Sequence, residues 1–391
     1  MLCIYEDEGF ARLGPLVDLR PVHDLRCGRF TLLEKIRRRY PAERPVLWVR
    51  TELAELVSET HPDCLVNVRV ESPCLFLSAR LILDERLPLT GAEVAFLAQG
   101  QLVGFRLMTS RAWNPGCLGR VQLDLPEVAV KARVINFPWQ LVELNADELQ
   151  REAKGRGSRT QVFKGVTVIG SRRQLFVARG ARIWPGVVIS TETGPVFVDR
   201  AAQIRPQSFV EGPCYIGPGT VIDGARVRPG CSFGPECRIG GELEAVVFQG
   251  YANKHHEGFL GHSFVGEWVN LGALTTNSDL KNVYAPVKVP IQGRPVDTGL
   301  LKVGCFIGDH VKTAIGTLLN TGTVVGTFAH WFEPGLSPKE IPAFAWGNRG
   351  RWQLGDVLDT GRTVMARRRV RPSPTYEMAL SRLYERTVAN R

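Results

Sequence analysis

Aliphatic residues recur every six positions through the middle of this chain, a spacing that few backbones satisfy. Val198, Ile204, Val210, Ile216 and Ile222 keep the interval, and after a one-residue slip Val221, Val227, Phe233 and Ile239 continue it. Val265 and Leu271 are again six apart, and Ile307, Thr313, Leu319 and Val325 form a further run. Each unit reads as a short strand ending in a sharp corner. Gly217, Gly240, Gly266, Gly272, Gly308, Gly326 and Asn320 follow the inward residue and are expected to supply the positive φ of that corner. Hexapeptide repetition predicts a parallel β-helix, in which each coil buries its aliphatic row only against its neighbours. The repeat assigns residues 156–335 to this column.

Outside the repeat the patterning changes. Residues 1–155 read as an α/β domain, with strands at 2–5, 46–49 and 75–77, helix-like segments at 30–40 and 52–59, and a parallel sheet as the natural arrangement. The stretch from Arg20 to Gly28 sets Arg20, Asp24 and Arg26 ahead of an amphipathic helix. Such a group could hold a phosphate, and equally could serve as caps and ion pairs. Residues 154–159 read as a linker. Residues 280–301, rich in proline and glycine, interrupt the column as a loop of a length that usually carries function. Residues 336–391 form a basic cap with helices near 356–368 and 376–389, as an open column end needs covering.

Composition narrows the function. The net charge is +10, but residues 362–391 hold eight arginines against Glu377 and Glu385, so the basic character is mostly a tail and no nucleic-acid surface is expected. The start of the chain lacks the basic and apolar regions of a signal peptide and no apolar run could span a bilayer, which predicts a cytoplasmic protein with no membrane partner. Nine cysteines without a CxxC pair predict reduced, buried thiols and no metal site.

Chemistry concentrates between 250 and 281. His255, His256 and His262 lie within eight residues, among Tyr251, Asn253, Lys254, Glu257 and Glu267. Adjacent histidines on a strand face opposite ways and cannot easily share an ion. General-base chemistry on an attacking amine fits an imidazole better.

This segment resembles the acetyltransferase domain of the GlmU family, bifunctional enzymes that make UDP-N-acetylglucosamine. The matching words are Gly250-Tyr251-x-Asn253-Lys254, Gly258-Phe-Leu-Gly-His262-Ser, Gly266-Glu-Trp-x-Asn270-Leu-Gly-Ala273 and Asn277-Ser278-x-Leu280-Lys281-Asn282. The resemblance implies an α/β nucleotidyltransferase-like domain followed by a left-handed parallel β-helix and a helical cap. It implies a homotrimer that binds acetyl-CoA between columns and acetylates an amino-sugar phosphate of the glucosamine 1-phosphate type. His262 and Asn277 would then be catalytic. Arg228, Tyr251, Asn253, Lys254 and Lys281 would bind the sugar phosphate, with Lys254 replacing a sugar-binding lysine that the family carries earlier. Ala273, Arg367 and Arg368 would bind the cofactor, and Arg20, Asp24 and Arg26 a nucleotide sugar. The first domain departs from the family, because it lacks a glycine-rich loop after its first strand and shows Ser78-Ala79-Arg80 where a Mg²⁺ carboxylate would stand. Mg²⁺ is expected only if that domain is active. The alternatives are a fully bifunctional enzyme and a non-catalytic sugar-nucleotide sensor or scaffold.

Overall fold

The computed structural model describes residues 1–70, 73–108, 124–154 and 163–389, so most of the expected linker at 154–159 lies outside the described residues. The first domain is built on seven strands: β1 (Leu2–Tyr5), β2 (Val46–Trp48), β3 (Leu65–Val66), β4 (Cys74–Ser78), β5 (Val94–Ala98), β6 (Gln101–Leu107) and β7 (Glu127–Ala129). They lie in the order β7-β5-β6-β4-β1-β2-β3. The expected strands and helices form, α1 at Leu32–Arg39 and α2 at Ala54–Thr60. Thr31 and Glu34 cap α1 reciprocally, and its Leu32, Leu33 and Ile36 are buried.

The sheet is mixed rather than wholly parallel. Strand β6 runs antiparallel to both β4 and β5. Gln99 and Gly100 join β5 to β6 with φ of 51° and 73°, and a two-residue turn of that hand can only return the chain beside itself. Two further helices, α3 (Pro138–Glu143) and α4 (Asn145–Ala153), lead to the column.

The column is a left-handed parallel β-helix with three faces. One face is a ladder of nine parallel strands from Leu175–Val177 to Glu340–Ile341. Inward rows of Ile204, Ile222, Val227, Phe233, Ile239, Leu243, Leu260 and Val265 are fully buried and form its core. The glycines predicted to turn the corners do something else. None of Gly217, Gly240, Gly266, Gly272, Gly308, Gly326 or Asn320 has positive φ; that conformation falls three residues after the inward one at long corners, as at Gly219, Glu236 and His310, and two after it at short ones, as at Gly224 and His262. A short corner makes the step from Ile222 to Val227 five residues, which is the slip seen in the sequence. Glycine is required for stacking instead: a Cβ on Gly240 or Gly326 would lie 1.8 or 2.2 Å from backbone of the next coil.

The two domains share one core. Leu16, Leu25 and Trp139 join Val247, Phe264 and Phe306 of the column in a single buried cluster. The insertion at 280–301 is not structureless: it carries a hairpin, Lys288–Ile291 with Arg294–Asp297, whose Val289 and Ile291 enter that same cluster. Helices α5 (Leu354–Ala366) and α6 (Pro374–Ala389) do more than cover the column end. Arg386 of α6 pairs with Glu52 of the first domain at 2.8 Å, and Leu380 and Leu383 are buried in the shared core. The eight described cysteines are free and buried. No helix among the described residues is long and apolar enough to cross a membrane.

Candidate active site

His262 stands at a short corner, with φ of 47°, immediately after the strand Phe259–Gly261. Its N–H donates to Glu244 O and its carbonyl accepts from Gly304, so coils on both sides fix the backbone. The Nδ1 atom lies 2.7 Å from Asp279 Oδ2. A carboxylate there accepts a proton held on Nδ1 and leaves the Nε2 lone pair available as a base. Gly261 is needed for this pairing, since a Cβ at that position would come within 2.4 Å of the Asp279 carboxylate.

Asn277 is brought beside His262 but does not reach out to a ligand. Its Oδ1 accepts from Gly261 N at 2.8 Å and its amide donates to Gly261 O at 3.0 Å, so it clamps the peptide that precedes the imidazole. Asp279 is the candidate site residue that sequence reasoning passed over, although it occupies the unread position of the motif Asn277-Ser278-x-Leu280. Only the stacking of coils shows that a residue 17 positions away is the partner of His262.

His262 lines a cavity of about 490 Å³ between the domains, bounded by Trp139, Val142, Glu143 and Ala146 of α3 and α4, by Pro229, Gly230 and Ala245 of the column, and by residues 300–303 at the end of the insertion. The insertion leaves the column just after Asp279, which explains why its returning segment 300–303 forms a wall.

The other expected ligands are dispersed. Arg228, half-exposed near the cavity-lining Pro229, is held by Glu242 at 2.6 Å. Tyr251 stacks on Trp268 with ring centres 4.3 Å apart, and Asn253 bonds Asn270 at 2.6 Å, both away from the cavity lining. Lys254 is a correction: it takes an inward position opposite Ile239 and is 1% exposed, with its ammonium donating to the carbonyls of Gly240 and His256. Burial lowers its pKa to about 8. Lys281 donates to Pro286 O within the insertion. Ala273 accepts from Gly316 N and adjoins Leu274, 57% exposed. Arg367 is exposed, whereas Arg368 is partly buried and its pKa is lowered by that burial and by neighbouring Arg238.

In the first domain Arg20, Asp24 and Arg26 follow the second of the two readings and are engaged in ion pairs and packing. Arg20 is buried, with ion pairs to Glu267 at 3.0 Å and Asp309 at 2.9 Å on the column. Arg26 is buried too, its N–H bonded to Gln249 and its guanidinium to Arg29 O. Asp24 pairs with His61 at 3.0 Å. These residues join the domains. The carboxyl ends of the interior strands β1, β2 and β4, where a Mg²⁺ carboxylate would be expected, are likewise taken up by ion pairs. Asp7, just past β1, gives both carboxylate oxygens to Arg80, at 2.6 and 2.9 Å, and Glu6 is bound by Arg50 at 3.2 Å. The Arg80 guanidinium lies so close to Gly9 that a Cβ there would meet it at 2.4 Å. Carboxylates neutralised in this way do not fit a divalent ion.

Residues 2–160 match the family model described as sugar nucleotidyl transferase. A bifunctional sugar-1-phosphate nucleotidylyltransferase/acetyltransferase from Sulfurisphaera tokodaii is 33% identical over 157 residues, 38% of each chain. The bifunctional protein GlmU of Methanocaldococcus jannaschii is 26% identical over 49% of this chain and 41% of its own. The chain is similar to GlmU. This GlmU-like chain thus matches about two fifths of the length of those two relatives. Among solved structures, a mutant perosamine N-acetyltransferase from Caulobacter crescentus, in complex with CoA and GDP-perosamine, covers 77% of this chain and 91% of its own at 14% identity, with a TM-score of 0.13.

Proposed function

We propose that this GlmU-like protein is an N-acetyltransferase that uses acetyl-CoA and an amino-sugar phosphate of the glucosamine 1-phosphate type. The observation that carries the reading is the His262–Asp279 pair, set on a cavity at a rigid corner of the column. The sugar amine attacks the thioester carbonyl, forming the amide bond and expelling the CoA thiolate. His262 Nε2 takes the amine proton as the bond forms, Asp279 stabilises the resulting imidazolium, and the proton then passes to the leaving thiolate. Asn277 keeps the ring in place through Gly261.

The homotrimer belongs to this reading. Leu274, Ile315, Leu318 and Leu336 are 57%, 78%, 42% and 61% exposed beside Ala273, a run of apolar surface suited to a second column with the cofactor between. The cationic surroundings of Arg368 suit the phosphates of CoA. The first domain acts as a ligand-binding or docking domain rather than a pyrophosphorylase, which the Asp7–Arg80 and Glu6–Arg50 pairs support.

The test incubates the protein with acetyl-CoA and a panel of amino-sugar phosphates, reading free thiol. Transfer should occur, and His262→Ala should reduce it ~10² to 10⁴-fold while the protein stays folded. Near-normal turnover by that variant would remove His262 as the base; no transfer to any amine in the panel would favour the sensor alternative.

A further inference from the structure

Among the described residues one group of side chains has the composition and spacing of a transition-metal site, and it includes none of the histidines singled out by sequence. His23, Asp24 and His61 place one ligand atom each within 4.8 Å of one another. His61 Nε2 is 3.0 Å from Asp24 Oδ1, and His23 Nε2 is 3.8 Å from the same oxygen. Zinc bonds to imidazole nitrogen and carboxylate oxygen at ~2.0–2.2 Å, so tetrahedral ligands stand ~3.3–3.5 Å apart. These two separations bracket that value.

The second observation concerns His23 alone. Its side chain is fully buried, and neither ring nitrogen has a hydrogen-bond partner. An isolated His61–Asp24 ion pair accounts for two of the three residues and leaves an imidazole buried with both polar atoms unsatisfied, which is costly. A cation on Nε2 satisfies that nitrogen. The backbone that presents the group is also fixed: Val22 N–H donates to Glu6 at 2.9 Å, Asp24 O accepts from Gln249 of the column at 2.7 Å, and His61 closes the carboxyl end of α2 through its N–H to Val57 O. His23 and Asp24 belong to a short 3-10 turn, so adjacent residues converge here as they could not on a strand.

We infer that His23 Nε2, Asp24 and His61 Nε2 bind one divalent transition-metal ion of the zinc type, which ties the end of α2 to the segment that docks the first domain on the column. Partial exposure of Asp24 and His61, 21% and 19%, provides the way in. Two imidazoles disfavour Mg²⁺, so the site is separate from any nucleotide-dependent metal.

Full-length protein, stripped with EDTA and dialysed, would be titrated with CoCl₂ and followed by its visible ligand-field bands, with ZnSO₄ and MgCl₂ as competitors. One Co²⁺ per chain is expected, displaced by Zn²⁺ and not by Mg²⁺. The variants Asp24→Ala and His61→Ala should weaken binding at least ~10-fold, and a His255→Ala/His256→Ala variant should leave it unchanged. Zn²⁺ should raise the Tm of the wild type and not that of His61→Ala. Absence of stoichiometric binding by the wild type, unchanged affinity in a folded His61→Ala variant, or loss of binding in the His255/His256 variant would each overturn the assignment.

Discussion

His262 holds a left-handed backbone conformation that non-glycine residues adopt at a cost of order 1 kcal/mol, sustained because coils on both sides and Asp279 over-determine it. The tautomer depends on that carboxylate. Asp279→Asn can present its amide to Nδ1 and leave the proton on Nε2, so kcat should fall ~10²-fold with little change in KM, as steady-state kinetics would show. Lys254 makes the opposite point, a lysine that looks like a ligand and is buried. Its folded pKa of about 8 lies below the ordinary 10.5, so between those values the unfolded chain binds the extra proton and stability rises with pH. Denaturant unfolding from pH 7.5 to 10 should show that rise in the wild type and a flatter profile in Lys254→Met, with Lys254→Met at least as stable at pH 7.5. A higher KM for the sugar substrate in Lys254→Met would instead return the residue to the binding site.

At the scale of elements, the segment after β1 acts as a clasp rather than a phosphate loop. Arg20 reaches two carboxylates on different coils, so Arg20→Met leaves Glu267 and Asp309 uncompensated. The expected loss is ~3–5 kcal/mol, the range for breaking one side of a buried ion pair, measured by denaturant unfolding. Helices α5 and α6 cannot simply be deleted to test their arginines, because Leu380 and Leu383 are part of the shared core. Arg367→Ala with Arg368→Ala is the cleaner change. It should raise KM for acetyl-CoA and reduce its salt dependence without lowering thermal stability.

For the whole molecule, a cavity walled by α3, α4, the column and the insertion couples the two domains at the site itself. With the carboxylates at the end of β1 held by Arg80 and Arg50, the first domain should release no pyrophosphate from nucleoside triphosphate, N-acetylglucosamine 1-phosphate and Mg²⁺ at rates near ~1 s⁻¹, the low end for ordinary enzymes. Turnover at that rate would make the protein bifunctional. A trimeric mass by light scattering at micromolar concentration is expected, and a monomer with intact activity would exclude an intersubunit cofactor site.

The column was legible from residues 198–325 because a six-residue period has one stable solution, stacked coils, and each inward Val, Ile or Leu reports its own burial. His262 was legible for a related reason: polar side chains interrupt a pattern that needs none. The period did not say which glycines turn and which merely make room, since both requirements exclude a side chain and only backbone dihedrals separate them. It also could not reveal Asp279, Arg80 or the His23–Asp24–His61 group. Those pairings join residues on different coils, strands or turns, and an arginine or histidine has the same identity in the sequence whether its partner is a phosphate, a metal or a carboxylate. Packing of the first domain against the column decided that Arg20 and Arg26 are joints, and the register of stacked coils decided that Lys254 points inward opposite Ile239.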